Sequence, residues 1–235
     1  MTFREDLTSA TLEVYERYAV EVVERFAFCP WAHAARTSQS APVSVVFSVN
    51  QDDFDESLSQ LSTLCHAPPA FDVALLVYPL LDLDRLGFED FVRRLRTRSE
   101  ADARDLEAFA MAAFHPHAAA DLSHPDRLVP FVRRSPDPTL QLVRKTALSS
   151  IKGLDFGTQF VDIAALSLGS LAALSEPRAK PVRQRIAEQN LATVCDVGPA
   201  SFEAVLHDVF RAREQAHDAL LRRHGQRGPR RFDPG

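Results

Sequence analysis

Leu12, Tyr15, Ala19, Val22 and Phe26 recur at spacings of three and four, which puts them on one face of a helix. Thr8 or Ser9 is placed to cap its start. The helix should stop before Cys29-Pro30, because proline disfavours helical geometry in the residue that precedes it. Pro30 itself suits the first position of a short second helix through PWAHAAR. The period then changes. VSVVFSV, Val43 to Val49, is β-branched and strand-like, and DDFDESLSQLSTLCHA reads as a helix with acidic residues at its start. FDVALLVYP, Phe71 to Pro79, is apolar almost without a break, as in a strand buried on both faces. Val73, Ala74, Leu75, Leu76 and Val77 are therefore all expected inside. GFEDFVRRLRTRSEADAR predicts another helix, and LEAFAMAAF, Leu106 to Phe114, a third strand.

From Pro138 and Thr139 a helix is expected through Leu140, Val143, Ala147 and Ile151. Further helices follow over Phe160 to Leu174, Val182 to Cys195 and Ser201 to Arg223, divided by Glu176-Pro177 to Pro181 and by Gly198-Pro199. Strands alternating with helices predict an α/β fold: a small central sheet, at least partly parallel, with helices around it and a helical C-terminal third. One domain over residues 1–221 is expected, with a basic, disordered tail over 222–235.

The chain of 235 residues is 46% hydrophobic and 25% charged, with a net charge of -5. That balance argues against nucleic acid as a partner. The longest apolar-rich stretch, Phe160 to Leu174, is broken by Asp162, Ser167, Gly169 and Ser170 and is too short to span a bilayer. No membrane partner is expected. The charged start MTFREDLTSATLEVYER has no apolar signal core, so the expected location is cytoplasmic. Cys29, Cys65 and Cys195 are too scattered for a disulfide framework or zinc knuckle. None of this fixes an oligomeric state.

Chemistry concentrates in AAFHPHAAADLSHPDRLVPFVRRSPDPTL, Ala112 to Leu140, which holds five prolines. His115 leaves the end of the third predicted strand, where α/β proteins gather ligands; it suits an acid, base or ligand role, or a structural cap. His117 forms a His-x-His pair with it, but no carboxylate or cysteine completes a metal-ligand spacing there. His124 is the weaker third imidazole. Arg133, Arg134, Ser135 and Thr139 together make an anion site if Thr139 opens a helix, with solvated arginines beside a capped helix as the plain alternative. Cys29, at the start of the helix opened by Pro30, stands where amides and dipole favour a thiolate. From spacing alone the plainer reading is a small residue packed at a helix junction. Cys65 and Cys195 read as core residues. With no G-x-G-x-x-G, Walker loop, G-x-S-x-G or H-E-x-x-H in the chain, no cofactor is identified.

CPWA after a first helix, FHP after a strand and RSPDPTL occur in that order. Together they resemble the domain-of-unknown-function 1415 family of bacteria and plants. Its motifs read Cys-Pro-Phe-Ala, Phe-His-Pro, Asn-Arg-Ser-Pro-x-Pro-Thr-Leu and a later Ile-x-x-x-Asn. Cys29, Pro30 and Ala32 match the first, with Trp31 as the aromatic, and Phe114, His115 and Pro116 match the second. Arg134, Ser135, Pro136, Pro138, Thr139 and Leu140 match the third, Arg133 replacing its asparagine; Ile186 and Asn190 match the fourth. The resemblance implies a shared site of Cys29, His115, Arg134, Ser135, Thr139 and Asn190, and brings no reaction with it. His117 departs from the family pattern.

The residues therefore predict an enzyme acting on a small anionic molecule, a thiol-dependent transferase or hydrolase. Cys29 would be its nucleophile or redox thiol, His115 its base, and Arg134 and Ser135 its anion site. The alternatives are a non-catalytic ligand-binding or regulatory protein using the same pocket, and a metal-dependent enzyme using Cys29, His115 and His117.

Overall fold

The computed structural model describes residues 2–29, 32–38, 40–66, 71–102, 109–145 and 182–225. Helix α1 runs Phe3–Tyr18 and is capped by Thr2, not by Thr8 or Ser9. Glu5 N donates to Thr2 Oγ1 at 3.3 Å and Thr2 N donates back to Glu5 Oε2 at 2.7 Å, a reciprocal cap. A π-helical turn, Ala19–Glu24, continues it. The buried stripe is Leu7, Thr11, Val14, Tyr18, Val22 and Phe26, while Leu12 is exposed and Tyr15 and Ala19 are half-buried. The wider π turn re-phases the apolar face, so a stripe read backwards from Val22 and Phe26 comes out rotated in α1.

The remaining elements are α2 (Ala32–Thr37), β1 (Val43–Val45), α3 (Asp55–His66), β2 (Val73–Val77), α4 (Arg85–Asp102), β3 (Phe109–Phe114), α5 (Pro125–Val132), β4 (Thr139–Arg144), α6 (Val182–Val197) and α7 (Pro199–Arg223). The fold class is α/β as expected. One element is of the wrong kind: Thr139 begins a strand. In TLQLVR, Leu140 and Leu142 are 0% and 1% exposed and Gln141 between them is half-buried, the two-residue period of a sheet. Apolar residues spaced at Val143, Ala147 and Ile151 suit a helix, but pairing on both sides decides for the strand. The expected helix over residues 160–174 lies outside the described residues.

Sheet order is β1-β2-β4-β3. β1 pairs parallel to β2, whereas β4 runs antiparallel to both β2 and β3. β1, β2 and β3 therefore point one way, and their C-terminal ends share an edge with the start of β4. Ala74, Leu76, Leu140 and Leu142 join Phe54, Leu61, Phe88, Phe91 and Leu95 of α3, α4 and their approaches in one core. A second core is purely helical, built from Val14, Tyr18, Val22 and Phe26 with Leu128 and Phe131 of α5, Val194 of α6, and Phe202, Leu206 and Val209 of α7. β2 is buried from Ala74 to Val77, with Val73 half-buried, as its unbroken apolar run predicts. At the far end α7 continues to Arg223, and His224 Nε2 and Arg223 Nη1 lie 2.8 and 3.2 Å from Asp6 Oδ2. The end of α7 is thus docked on α1.

Candidate functional site

The site grows from the edge where β1, β2 and β3 end. Thr139 pairs with Val77 on one side and with Phe114 on the other. Just outside the sheet, Tyr78 N donates to Pro138 O at 2.9 Å and His115 N to Arg133 O at 3.2 Å. The FHP and RSPDPT stretches are thereby stitched together, and every residue from 134 to 140 is buried. Prolines suit such a segment, because they supply fewer backbone donors that need partners there.

His115 is 4% exposed. Its Nε2 lies 2.9 Å from Leu83 O, and its Nδ1 lies 3.2 Å from His117 N. A carbonyl must accept and an amide must donate, so the ring is the neutral Nε2–H tautomer with both nitrogens engaged. Burial holds its pKa below the ordinary histidine value, with the hydrogen bond to Leu83 O opposing. A neutral, doubly bonded imidazole ties β3 to the loop ahead of α4; its lone pair already serves the His117 amide.

Arg134 carries the clearest electrostatic feature. Its side chain is 9% exposed. Nε donates to Pro116 O at 2.8 Å, and Nη1 reaches Glu203 Oε1 of α7 only at 3.4 Å. The guanidinium carbon stands 5.7 Å from the Phe131 ring centroid and 5.4 Å from that of Phe210. Desolvation pulls its pKa down, opposed by Glu203. Half-buried His117 is depressed by burial first and by the Arg134 charge second. Arg133 sits differently: its guanidinium lies 5.6 Å from the Phe114 ring, and it borders a shallow, open depression with Arg85, Glu89, Ala113, His115 and Pro130.

Ser135 and Thr139 are each 0% exposed. Both hydroxyls donate to one acceptor, Asp137 O, at 2.6 and 2.9 Å. They brace the segment, and no helix start at Thr139 completes an anion cradle. Asp137 in turn is 2% exposed and bound to Arg213 of α7. Sequence reasoning missed Glu203, Arg213 and His217. Each is one polar residue on an amphipathic helix, and only the tertiary packing distinguishes it from its solvated neighbours.

Cys29 follows the π turn and is half-buried. It lies within the electrostatic reach of Tyr15 and Tyr18, whose hydroxyls burial pushes up in pKa. Among the described residues the Tyr18 hydroxyl has no hydrogen-bond partner. Cys29 O accepts from Ala32 N at 3.2 Å, but α2 has only six residues, so its dipole is short. Asn190 is 8% exposed on α6. Cys195, expected in the core, is exposed at the end of the same helix; the side chain of Cys65 lies outside the described residues. His124 caps α5, its Nδ1 accepting from Asp126 N at 3.2 Å.

A family model described as a protein of unknown function, DUF1415, matches residues 11–154. The chain belongs to the DUF1415 family. No curated protein and no solved structure matches it. The DUF1415 match spans Cys29, His115 and the RSPDPT segment, whereas Asn190, Glu203, Arg213 and His217 lie beyond it. Among the described residues no helix is long and apolar enough to cross a membrane, and no three His, Cys, Asp or Glu residues are grouped to hold a metal.

Proposed function

We propose that this DUF1415 protein binds a small anionic molecule through Arg134, at the junction of the Phe-His-Pro turn, the buried Arg134–Leu140 segment and the first turns of α7. One observation carries the reading: Arg134, its side chain nine-tenths buried, is oriented by Pro116 O yet closed by a single long contact to Glu203. A charge in so little water gains much from a well-placed anion. Half-buried His117 lies within the field of Arg134 and adds a second polar wall. His115, Ser135 and Thr139 hold the frame in this reading, because their hydrogen-bonding atoms already serve the fold.

Succinate and inorganic phosphate, titrated separately while amide NMR shifts are followed, test this. Shifts should centre on Pro116, His117, Arg134 and the start of α7, and both Arg134→Lys and Arg134→Ala should weaken them. Binding that is unchanged in both variants overturns the assignment.

The second reading is a thiol enzyme with Cys29 as its nucleophile. What favours it is the placement of Cys29 beside Tyr15 and Tyr18, whose buried hydroxyl at Tyr18 lacks a partner among the described residues. In that form we propose a proton acceptor other than His115, because the His115 ring nitrogens serve Leu83 O and His117 N.

A further inference from the structure

Resting on the proposal that Arg134 binds an anion, we infer that the ligand carries a carboxylate and that Glu203 occupies its place in the empty protein, as a built-in competitor.

A guanidinium has five N–H donors in one plane. Nε–H is committed to Pro116 O at 2.8 Å, so the side of the fork that includes Nε is closed to a two-pronged partner. The end of the fork, between Nη1 and Nη2, is what remains. Glu203 approaches that end but uses it poorly. Only Oε1 makes contact, with Nη1, at 3.4 Å, where charge-assisted bonds of this kind are about 2.7–2.9 Å. Among the described residues Oε2 and Nη2 make no hydrogen bond to one another or to any other group. The Glu203 side chain is 41% exposed against 9% for Arg134. One partner is fixed and desolvated, and the other is a solvated arm that can leave.

That asymmetry separates a competitor from a structural ion pair. A carboxylate held for stability is expected to be buried and doubly bonded, as Asp137 is to Arg213 in the same protein. At 2% exposure, its Oδ1 takes Nε and Nη2 of Arg213 at 2.8 and 2.6 Å. Glu203 has neither property. It neutralises Arg134 while the site is empty, and its removal to water costs little because a half-solvated pair is weak. A ligand carboxylate lying across Nη1 and Nη2 would make both bonds at normal length in the same low-dielectric setting, with Phe131 and Phe210 flanking the guanidinium. The planar two-oxygen group fits that end of the fork, and the side chain found there is itself a carboxylate.

The test compares the full-length wild type with Glu203→Gln and Arg134→Lys by NMR titration, using succinate and inorganic phosphate as separate probes. The neutral amide introduced by Glu203→Gln cannot neutralise Arg134 or repel an arriving anion. Succinate should therefore bind up to about fivefold more tightly to Glu203→Gln than to wild type. It should bind less well to Arg134→Lys, which keeps the charge but loses the fork. Succinate bound equally or less well by Glu203→Gln overturns the competitor role and leaves the Arg134 site standing. Phosphate bound more tightly than succinate by Glu203→Gln overturns the carboxylate assignment. Neither probe bound by either protein overturns the site itself, and the competitor with it. Glu203 is 41% exposed and makes only one long contact, so Glu203→Gln should fold; an unchanged melting temperature checks that.

Discussion

Arg213 holds Asp137 across 76 positions of chain, with Nε and Nη2 at 2.8 and 2.6 Å from Oδ1. Nη2 also donates to Pro79 O at 3.0 Å, just past the end of β2. One side chain of α7 thus clamps the segment before β4 to the loop after β2. The helical core and the sheet core meet at this ion pair, beside the Arg134 site.

Arg213→Ala should therefore be costly. It leaves the Asp137 carboxylate 2% exposed with its charge uncompensated, and breaking such a pair from one side costs about 3–5 kcal/mol. Asp137→Asn added to Arg213→Ala removes the stranded charge and should recover part of the loss. Urea denaturation of the three variants and wild type checks this; a double variant less stable than Arg213→Ala alone contradicts the argument.

Ser135 and Thr139 should behave as mutual substitutes. Both donate to Asp137 O, so removing one hydroxyl leaves the buried carbonyl with a partner, while removing both leaves it with neither. Ser135→Ala and Thr139→Val should each cost about 1 kcal/mol, and the double variant more than their sum. A double-mutant cycle in chemical denaturation reads the coupling, and simple additivity would contradict it.

What could be read from the sequence follows the range of the forces involved. β2 was legible because Ala74 to Val77 are apolar on both faces, and α3 and α4 because their periods are local. Thr139–Arg144 was not, although Leu140 and Leu142 alternate with Gln141, because Val143, Ala147 and Ile151 also suit a helix. Its pairing with Val73–Val77 and Phe109–Phe114 is a long-range fact. The same limit governs the site. The two motifs around His115 and Arg134 do meet, and both were visible as polar residues at element boundaries. Sequence could not say that the hydroxyls of Ser135 and Thr139 turn inward onto Asp137. Nor could it say that Glu203, 69 positions from Arg134, completes its surroundings.

Cys29 reactivity should be independent of His115. The His115 ring engages Leu83 O and His117 N, and Cys29 lies within the electrostatic reach of Tyr15 and Tyr18. In His115→Gln the pH profile of iodoacetamide alkylation at Cys29 should match wild type, while Tyr18→Phe should shift it. Peptide mass spectrometry separates Cys29 from exposed Cys195. A profile displaced by His115→Gln and unmoved by Tyr18→Phe would restore the thiol–imidazole pair.

His217 supplies a pH dependence of known sign. It is 7% exposed on α7, and its Nε2 has no hydrogen-bond partner among the described residues. Burial first, and then the charge of Arg213, lower its pKa from the ordinary 6.5 to about 4, against the opposing pull of Asp137 and Asp218. Because the folded value lies below the unfolded one, the unfolded chain binds the proton more readily across that interval. Stability is then fully present above about pH 6.5 and falls as pH drops toward 4. The full interval corresponds to about 3 kcal/mol for this buried ring. His115 and His117 are depressed too and push in the same direction, so wild type alone does not isolate the effect. His217→Gln does, since it keeps a neutral polar group of similar size and cannot take up the proton. Urea denaturation at several pH values between 4 and 7 should show wild type losing stability toward acid more steeply than His217→Gln. Equal slopes for the two proteins would mean that His217 is not the group kept neutral by the fold.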